Sequence, residues 1–213
     1  MNELQARSWL QHLDVSRETL SHLDDFVALL QRENTRQNLV SKQSLDAVWE
    51  RHIVDSAQLI RLAPPSARTW LDLGTGAGFP GLIAALLHRS KFTLVEERKL
   101  RCGFLADAAA LLGVGDRTTI VCDRIERVST ARYDVISARA FAPLDRLLAL
   151  GERFAGPDTR WILPKGKNAK SELEAALASW QGDFRLEPSL TDAEAQIIVA
   201  ERVRHRSKGK TRE

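Results

Sequence analysis

Residues Leu71–Gly81 read LDLGTGAGFPG. A short apolar run closing on Asp72 predicts a strand. Glycines then alternate at Gly74, Gly76 and Gly78, and Pro80 opens a helix where its missing N–H is harmless. Glycine is the residue that lets a backbone turn tightly and approach a ligand closely. Strand, glycine turn and helix in this order form the first unit of an open parallel α/β sheet. In such sheets ligands lie beyond the carboxyl ends of the strands.

Downstream, short apolar runs alternate with helical stretches. Strands are expected at Phe92–Val95, Thr118–Val121, Tyr133–Ser137 and Arg160–Leu163. Helices are expected at Lys99–Leu112, stopped by Gly113 and Gly115, and at Leu144–Phe154 and Ala169–Trp180. This alternation predicts right-handed βαβ crossovers and an α/β fold with a doubly wound, mostly parallel, Rossmann-like sheet. Phe184–Leu186 and Gln196–Val203 lack a helix between them and suit an antiparallel hairpin at one sheet edge.

Upstream, residues 1–62 read as helical. After Ser16, a candidate N-cap, Leu20, Leu23, Val27 and Leu30 recur at spacings of three and four. Leu45, Val48, Trp49, His52 and Leu59 do much the same after Ser44, with the polar segment Arg32–Ser41 between. Pro64, Pro65 and Ser66 break the pattern. The expected organisation is an N-terminal helical extension over 1–65, a ligand-binding α/β domain over 66–203 and a basic, flexible tail over 204–213.

The 213 residues suffice for one sizeable core, and 44% hydrophobic with 28% charged residues is an ordinary globular balance. No apolar run approaches the ~20 residues of a membrane span, and no signal-peptide core follows Met1. The two cysteines, Cys102 and Cys122, make no disulfide framework. They are expected as small buried apolar residues in a reducing, cytoplasmic compartment. Net charge is +3, yet residues 202–212 carry six Lys or Arg and no acid, leaving 25 basic against 28 acidic residues elsewhere. A basic terminus suits a salt-sensitive phosphate grip but carries no sequence specificity.

The glycine loop can be read in two registers. Gly74, Gly76 and Gly78, with Asp72 two residues earlier, match a D-x-G-x-G-x-G loop for S-adenosylmethionine. Gly76, Gly78 and Gly81 also satisfy the dinucleotide pattern G-x-G-x-x-G. Glu96, at the end of the next strand, suits ribose hydroxyls under either reading, and Glu97 lies beyond that strand. Asp72 favours the first register, because an acid there suits a cationic amino-acid end better than a pyrophosphate. Two alternatives remain open: an NAD-dependent oxidoreductase, and a non-catalytic RNA-binding module using the basic tail.

The segment after the fourth strand, YDVISARAFAPLD over Tyr133–Asp145, lacks the Asn-Pro-Pro-aromatic signature for exocyclic amines and the Pro-Cys nucleophile for pyrimidine carbon-5. It presents Arg139, which cannot act as a general base, followed by Ala140 and Phe141. Arg139 suits a carboxylate, a phosphate or a structural ion pair. Phe141 suits the core or a base-stacking face. A nucleophile with a free lone pair, such as guanine N7, needs no deprotonation. His12, His22, His52, His88 and His205 form no metal-ligand spacing with the cysteines, and no structural metal is expected. There is neither a G-x-S-x-G elbow nor a Walker A loop.

NTRQNLVSKQSLDAVWERHIVDSAQLI (Asn34–Ile60), LDLGTGAGFPG, ISARAF (Ile136–Phe141) and LPKG (Leu163–Gly166) together resemble the bacterial ribosomal small-subunit RNA methyltransferase G family, also called glucose-inhibited division protein B. The resemblance spans residues 15–203, in the family's order. It implies a class I fold, S-adenosylmethionine as cofactor, and methyl transfer to N7 of one guanine near the decoding region of 16S ribosomal RNA, in naked RNA or the 30S subunit. Carried over by position, it places Gly74 and Phe79 in the cofactor loop, and Ile125 and Glu126 against the adenosine. Arg139 would reach cofactor or RNA, with His52, Asp55 and Lys165 on the active face. His52 and Asp55 are one helical turn apart, and Arg51 is placed to pair with Asp55 at i,i+4. Asp123 suits either the adenine pocket or a helix cap. Where the family carries a basic residue near the last strand, this chain has Glu194-Ala195-Gln196. A monomer is expected.

Overall fold

The computed structural model describes residues 1–13 and 15–206. Two helices open the chain. Helix α1 (Glu3–Gln11) starts with a capping box, in which the Asn2 side chain takes the Gln5 N–H and the Gln5 side chain takes that of Asn2. Helix α2 (Arg17–Asn34) is capped by Ser16, whose hydroxyl accepts from the Thr19 N–H at 3.0 Å. The next helix departs from expectation. Its cap is Ser41, not Ser44, and α3 (Lys42–Asp46) gives way to a π-helical turn over Trp49–Val54. Then come the single turn α4 (Asp55–Ala57) and a 3-10 stretch over Gln58–Leu62.

The α/β part follows as β1 (Thr69–Leu73), α5 (Gly81–Leu87), β2 (Lys91–Glu96), α6 (Lys99–Leu111), β3 (Thr118–Cys122), β4 (Tyr133–Ser137), α7 (Leu144–Gly151), β5 (Ala155–Lys165), α8 (Ala169–Ala176), β6 (Trp180–Pro188) and β7 (Gln196–His205). Among the described residues these strands form one seven-stranded sheet in the order β3-β2-β1-β4-β5-β7-β6. The first five are parallel, while β7 runs antiparallel to both β5 and β6. The doubly wound sheet and its edge hairpin are therefore as expected. The order reverses beside β1, between β2 and β4, which is where such sheets open a crevice.

Helix α8 is shorter than the apolar spacing predicts. Trp180 opens β6, where its backbone pairs with His205 and its indole N–H donates to Asp145 at 2.9 Å. Strand β7 runs through Arg204 to His205, and Arg206 donates its backbone N–H to Ser179 and its Nε to the Trp180 carbonyl. The segment expected to be a tail thus starts inside a strand. Ser207–Glu213 lie outside the described residues.

Hydrophobic burial is divided by the sheet. Leu10, Leu23, Phe26 and Leu30 of the N-terminal helices share a core with Phe79, Phe104 and Leu105, while Trp161, Phe154, Leu147 and Leu173 pack the other face. Residues 1–65 are thereby continuous with the core of the sheet.

The cysteines correct the sequence reading. Cys102 in α6 and Cys122 at the end of β3 are joined as a disulfide, with Cα atoms 5.9 Å apart. A sequence separation of 20 hid the pairing, because only the βα register brings the start of α6 beside the end of β3.

Candidate functional site

The crevice is built on the end of β1. Gly74, Gly76 and Gly78 all have positive φ, at 65°, 60° and 90°. The loop turns in a left-handed conformation that a side chain would strain. Its inner face is held by Asp72, which has no exposed surface. Asp72 accepts the Gly81 N–H at 3.1 Å and the Ser137 hydroxyl at 2.6 Å, while Ser137 receives the indole N–H of Trp70 at 2.8 Å. Asp72 therefore shapes the loop from behind, rather than facing the crevice as expected for a ligand of the cationic end. Burial pushes its pKa up to about 6, against the pull of these hydrogen bonds.

Glu96 closes the loop from the end of β2. One oxygen accepts the Gly76 N–H at 3.1 Å, the other accepts the Arg98 N–H at 2.9 Å, and Arg101 lies 3.7 Å away. Glu97 is exposed at the rim of the same crevice and pairs with Arg124 at 3.6 Å. Glu96 belongs to the wall of a cavity of about 380 Å³, together with Gly74, Arg101, Asp123, Ile125 and Glu126. Ile125 is buried and Glu126 exposed, both in a 3-10 turn over Ile125–Arg127. Asp123 accepts the N–H of Arg124 and lies 3.8 Å from Arg127.

A second cavity of about 570 Å³ adjoins the first, with Arg51, His52, Asp55, Arg139, Lys165 and Asp192 in its lining. Arg139 is its hub. Nη1 donates to Asp55 Oδ2 at 3.0 Å and to the Arg51 carbonyl at 2.9 Å; Nη2 donates to His52 Nδ1 at 2.8 Å. A guanidinium can only donate, so Nδ1 accepts and the imidazole proton sits on Nε2, a buried atom with no partner. The His52 ring stacks on Phe79 with centroids 4.6 Å apart, and the Arg139 guanidinium lies over the same ring at 5.2 Å. Burial first, then Arg139 and Arg51, drop the pKa of His52 to about 3.

Asp55 has both carboxylate oxygens in hydrogen bonds. Besides Arg139 it accepts from Thr191 Oγ1 at 2.9 Å and Gln58 Nε2 at 3.0 Å. The expected Arg51–Asp55 pair is replaced by Arg51–Asp192 at 3.2 Å. The π-turn explains this: it winds i against i+5, so the i+4 side chains no longer stack. Lys165 donates to the Ala142 carbonyl at 2.8 Å and to Glu172 at 2.9 Å.

The structure thus gathers His52, Asp55, Arg139 and Lys165 on one cavity and Gly74, Glu96, Ile125 and Glu126 on the other. Phe79 is buried beneath His52. Ser137, Glu172, Thr191 and Asp192 were not singled out from sequence. Only Ser137 carried a signal, sitting within ISARAF; Glu172 is an ordinary polar residue until α8 lies beside Lys165, and Thr191 and Asp192 until the hairpin loop folds against the π-turn.

The reversed strand order, the glycine loop and the acid ending β2 form a nucleotide-binding crevice, and with the antiparallel β7 at the sheet edge the fold is that of the class I methyltransferases. An O-methyltransferase from Bacillus cereus, crystallised in complex with SAH, shares the fold at a TM-score of 0.58 and 12% identity, over 83% of this chain and 90% of that one. A TehB-like SAM-dependent methyltransferase from Corynebacterium glutamicum gives 0.56 and 17%, over 81% and 98%. The chain itself belongs to the family described as rRNA small subunit methyltransferase G, whose model matches residues 19–197. A ribosomal RNA small subunit methyltransferase G of Rhizorhabdus wittichii is 50% identical over 211 residues, covering 98% of this chain and 97% of the relative. The namesake from Zymomonas mobilis is 46% identical over 220 residues, covering 99% and 98%.

Proposed function

We propose that the protein, a methyltransferase of small-subunit ribosomal RNA, moves the methyl group of S-adenosylmethionine to N7 of one guanine near the decoding region of 16S RNA. The observation that carries N7 is that, among the described residues lining the cavity around Arg139, every acid, imidazole and amine already has a partner, Asp192 in Arg51 and Glu172 in Lys165 included. Arg139 is permanently charged, His52 spends its lone pair on Arg139, Asp55 is engaged by three donors, and Lys165 is bound by Ala142 and Glu172. Guanine N7 brings its own lone pair and needs no proton removed.

The residues of the smaller cavity fit the cofactor. Glu96 keeps acceptor capacity for ribose hydroxyls, and Val95 with buried Ile125 offers an apolar wall for the adenine. Gly74 and Gly76 bring backbone close, and a Cβ on Gly76 would find nothing nearer than 3.8 Å. Asp72 and Phe79 support the loop from within. When bound, S-adenosylmethionine supplies an electrophilic methyl on a sulfonium. The chain's task is to hold the base in line with it, and such positioning can lower a barrier by roughly 7–11 kcal/mol.

A labelled-methyl assay on 30S particles and on naked 16S RNA, both from cells lacking the enzyme, tests this. Labelled 7-methylguanosine is the expected product. A labelled base methylated elsewhere, or no labelled base on either substrate, would overturn the N7 assignment.

A further inference from the structure

Phe141 lines both cavities. Its ring lies directly on Gly74: a Cβ built there would meet it, 2.9 Å from Cε2 and closer still to Cδ2. Gly74 is a loop glycine with positive φ and a bare Cα, which lets a ligand come close, and the aromatic ring occupies that side of it. Ring and cofactor cannot both use the same face of Gly74.

The backbone beside Phe141 holds one residue in a costly conformation. Ala140 has φ 51°, in the left-handed region that a non-glycine residue occupies at a cost. The segment is fastened on either side of this pair. The three hydrogen bonds of Arg139 tie it to the N-terminal helices, and Lys165 holds the Ala142 carbonyl at 2.8 Å. The stretch between these ties is thus two residues long and includes the strained Ala140. The larger cavity, on the other side of the same ring, is where it can go.

We infer that Phe141 is a positioning residue: the cofactor displaces its ring from Gly74, and the displaced ring forms the face on which the target base stacks. Binding is then ordered, cofactor before RNA. The platform half rests on the guanine reading given above, whereas the gate half does not.

The test uses the full-length protein with Phe141→Ala, Phe141→Leu and Phe141→Tyr. Association of S-adenosylhomocysteine is followed by surface plasmon resonance without RNA, and the KM for 30S particles and 16S RNA is measured at saturating S-adenosylmethionine. Phe141→Ala should accelerate cofactor association about threefold or more, because the gate is gone. The same variant should raise the KM for RNA about tenfold, a loss typical of one base–aromatic stack, with a smaller effect on kcat. Phe141→Leu should keep the slow association yet share the raised KM, since it fills space without a planar face; Phe141→Tyr should restore both. Damage to the fold would instead weaken cofactor and RNA together and lower the melting temperature, and that outcome overturns the proposal. So does an unchanged association rate with an unchanged KM. If the wild-type protein methylates neither RNA, the guanine reading fails while the association rates still decide the gate.

Discussion

Arg139 serves three partners with one guanidinium, and its removal leaves each with a different deficit. Asp55 loses a charge-assisted bond, the Arg51 carbonyl loses a donor, and His52 Nδ1 is left buried without one. Arg139→Ala should therefore lower stability by about 2 kcal/mol and reduce methyl transfer at least tenfold, read by urea unfolding and by turnover on 30S particles. Near-normal turnover would reduce Arg139 to a structural ion pair. His52 and Asp72 make opposite contributions to pH dependence. His52 falls from its ordinary 6.5 to about 3, so its contribution is complete above pH 6.5 and is lost as pH falls towards 3. Asp72 rises from 3.8 to about 6, so the cost of burying its charge is relieved as pH falls through 6. In His52→Gln the acid-side loss should shrink but not disappear, because His88, whose pKa burial also lowers, keeps its own share of it; parallel urea midpoints for the two proteins would count against this account. The residues of the hub were legible as types, since RHIVD and ISARAF named Arg139, His52 and Asp55. Their partners Thr191 and Asp192 were not, because they lie more than 130 residues away from those they hold.

At the level of elements, β1, the loop and α5 were readable because glycine and proline act locally, through φ and a missing donor. The π-turn was not, since WERHIV carries the same residue types and apolar spacing as an ordinary helical stretch. Trp180 was misplaced for a related reason. It continues the apolar spacing of α8, and only its edge pairing with His205 and its bond to Asp145 make it a strand residue. The Cys102–Cys122 bridge belongs to the same scale. It ties α6, which contributes Arg101, to the end of β3, just before Asp123 and Ile125, and so fastens two walls of the smaller cavity. Closing a loop of this size is worth about 3 kcal/mol in the chain-entropy picture. Reductant should lower the melting temperature and weaken cofactor affinity, while Cys102→Ser/Cys122→Ser should be indifferent to reductant. Wild-type protein that melts identically with and without reductant would show that the bridge is not formed in solution.

Over the whole molecule, the charge split between body and terminus turned out to be a poor guide to chemistry. The site lies inside the body, and Arg204 and Arg206 are strand and edge residues rather than a free tail. Lys208, Lys210 and Arg212 remain candidates for phosphate contact. Removing residues 207–213 should weaken RNA binding chiefly at low salt and flatten its salt dependence, with cofactor binding intact; an unchanged salt slope would dismiss the tail. Residues 1–65 were expected as an extension, yet Phe26 meets Phe79 edge-on and Leu23 shares its core with Phe104, so cutting before the α/β part would bare one face of the sheet. The hub has a consequence for how the protein is made. Asp55 and Arg51 emerge early in synthesis, Arg139 later, and Thr191 and Asp192 only in the final tenth or so of the chain. A polypeptide released short of its edge hairpin would lack the clasp on the larger cavity, so the hub is completed only in a nearly full-length chain.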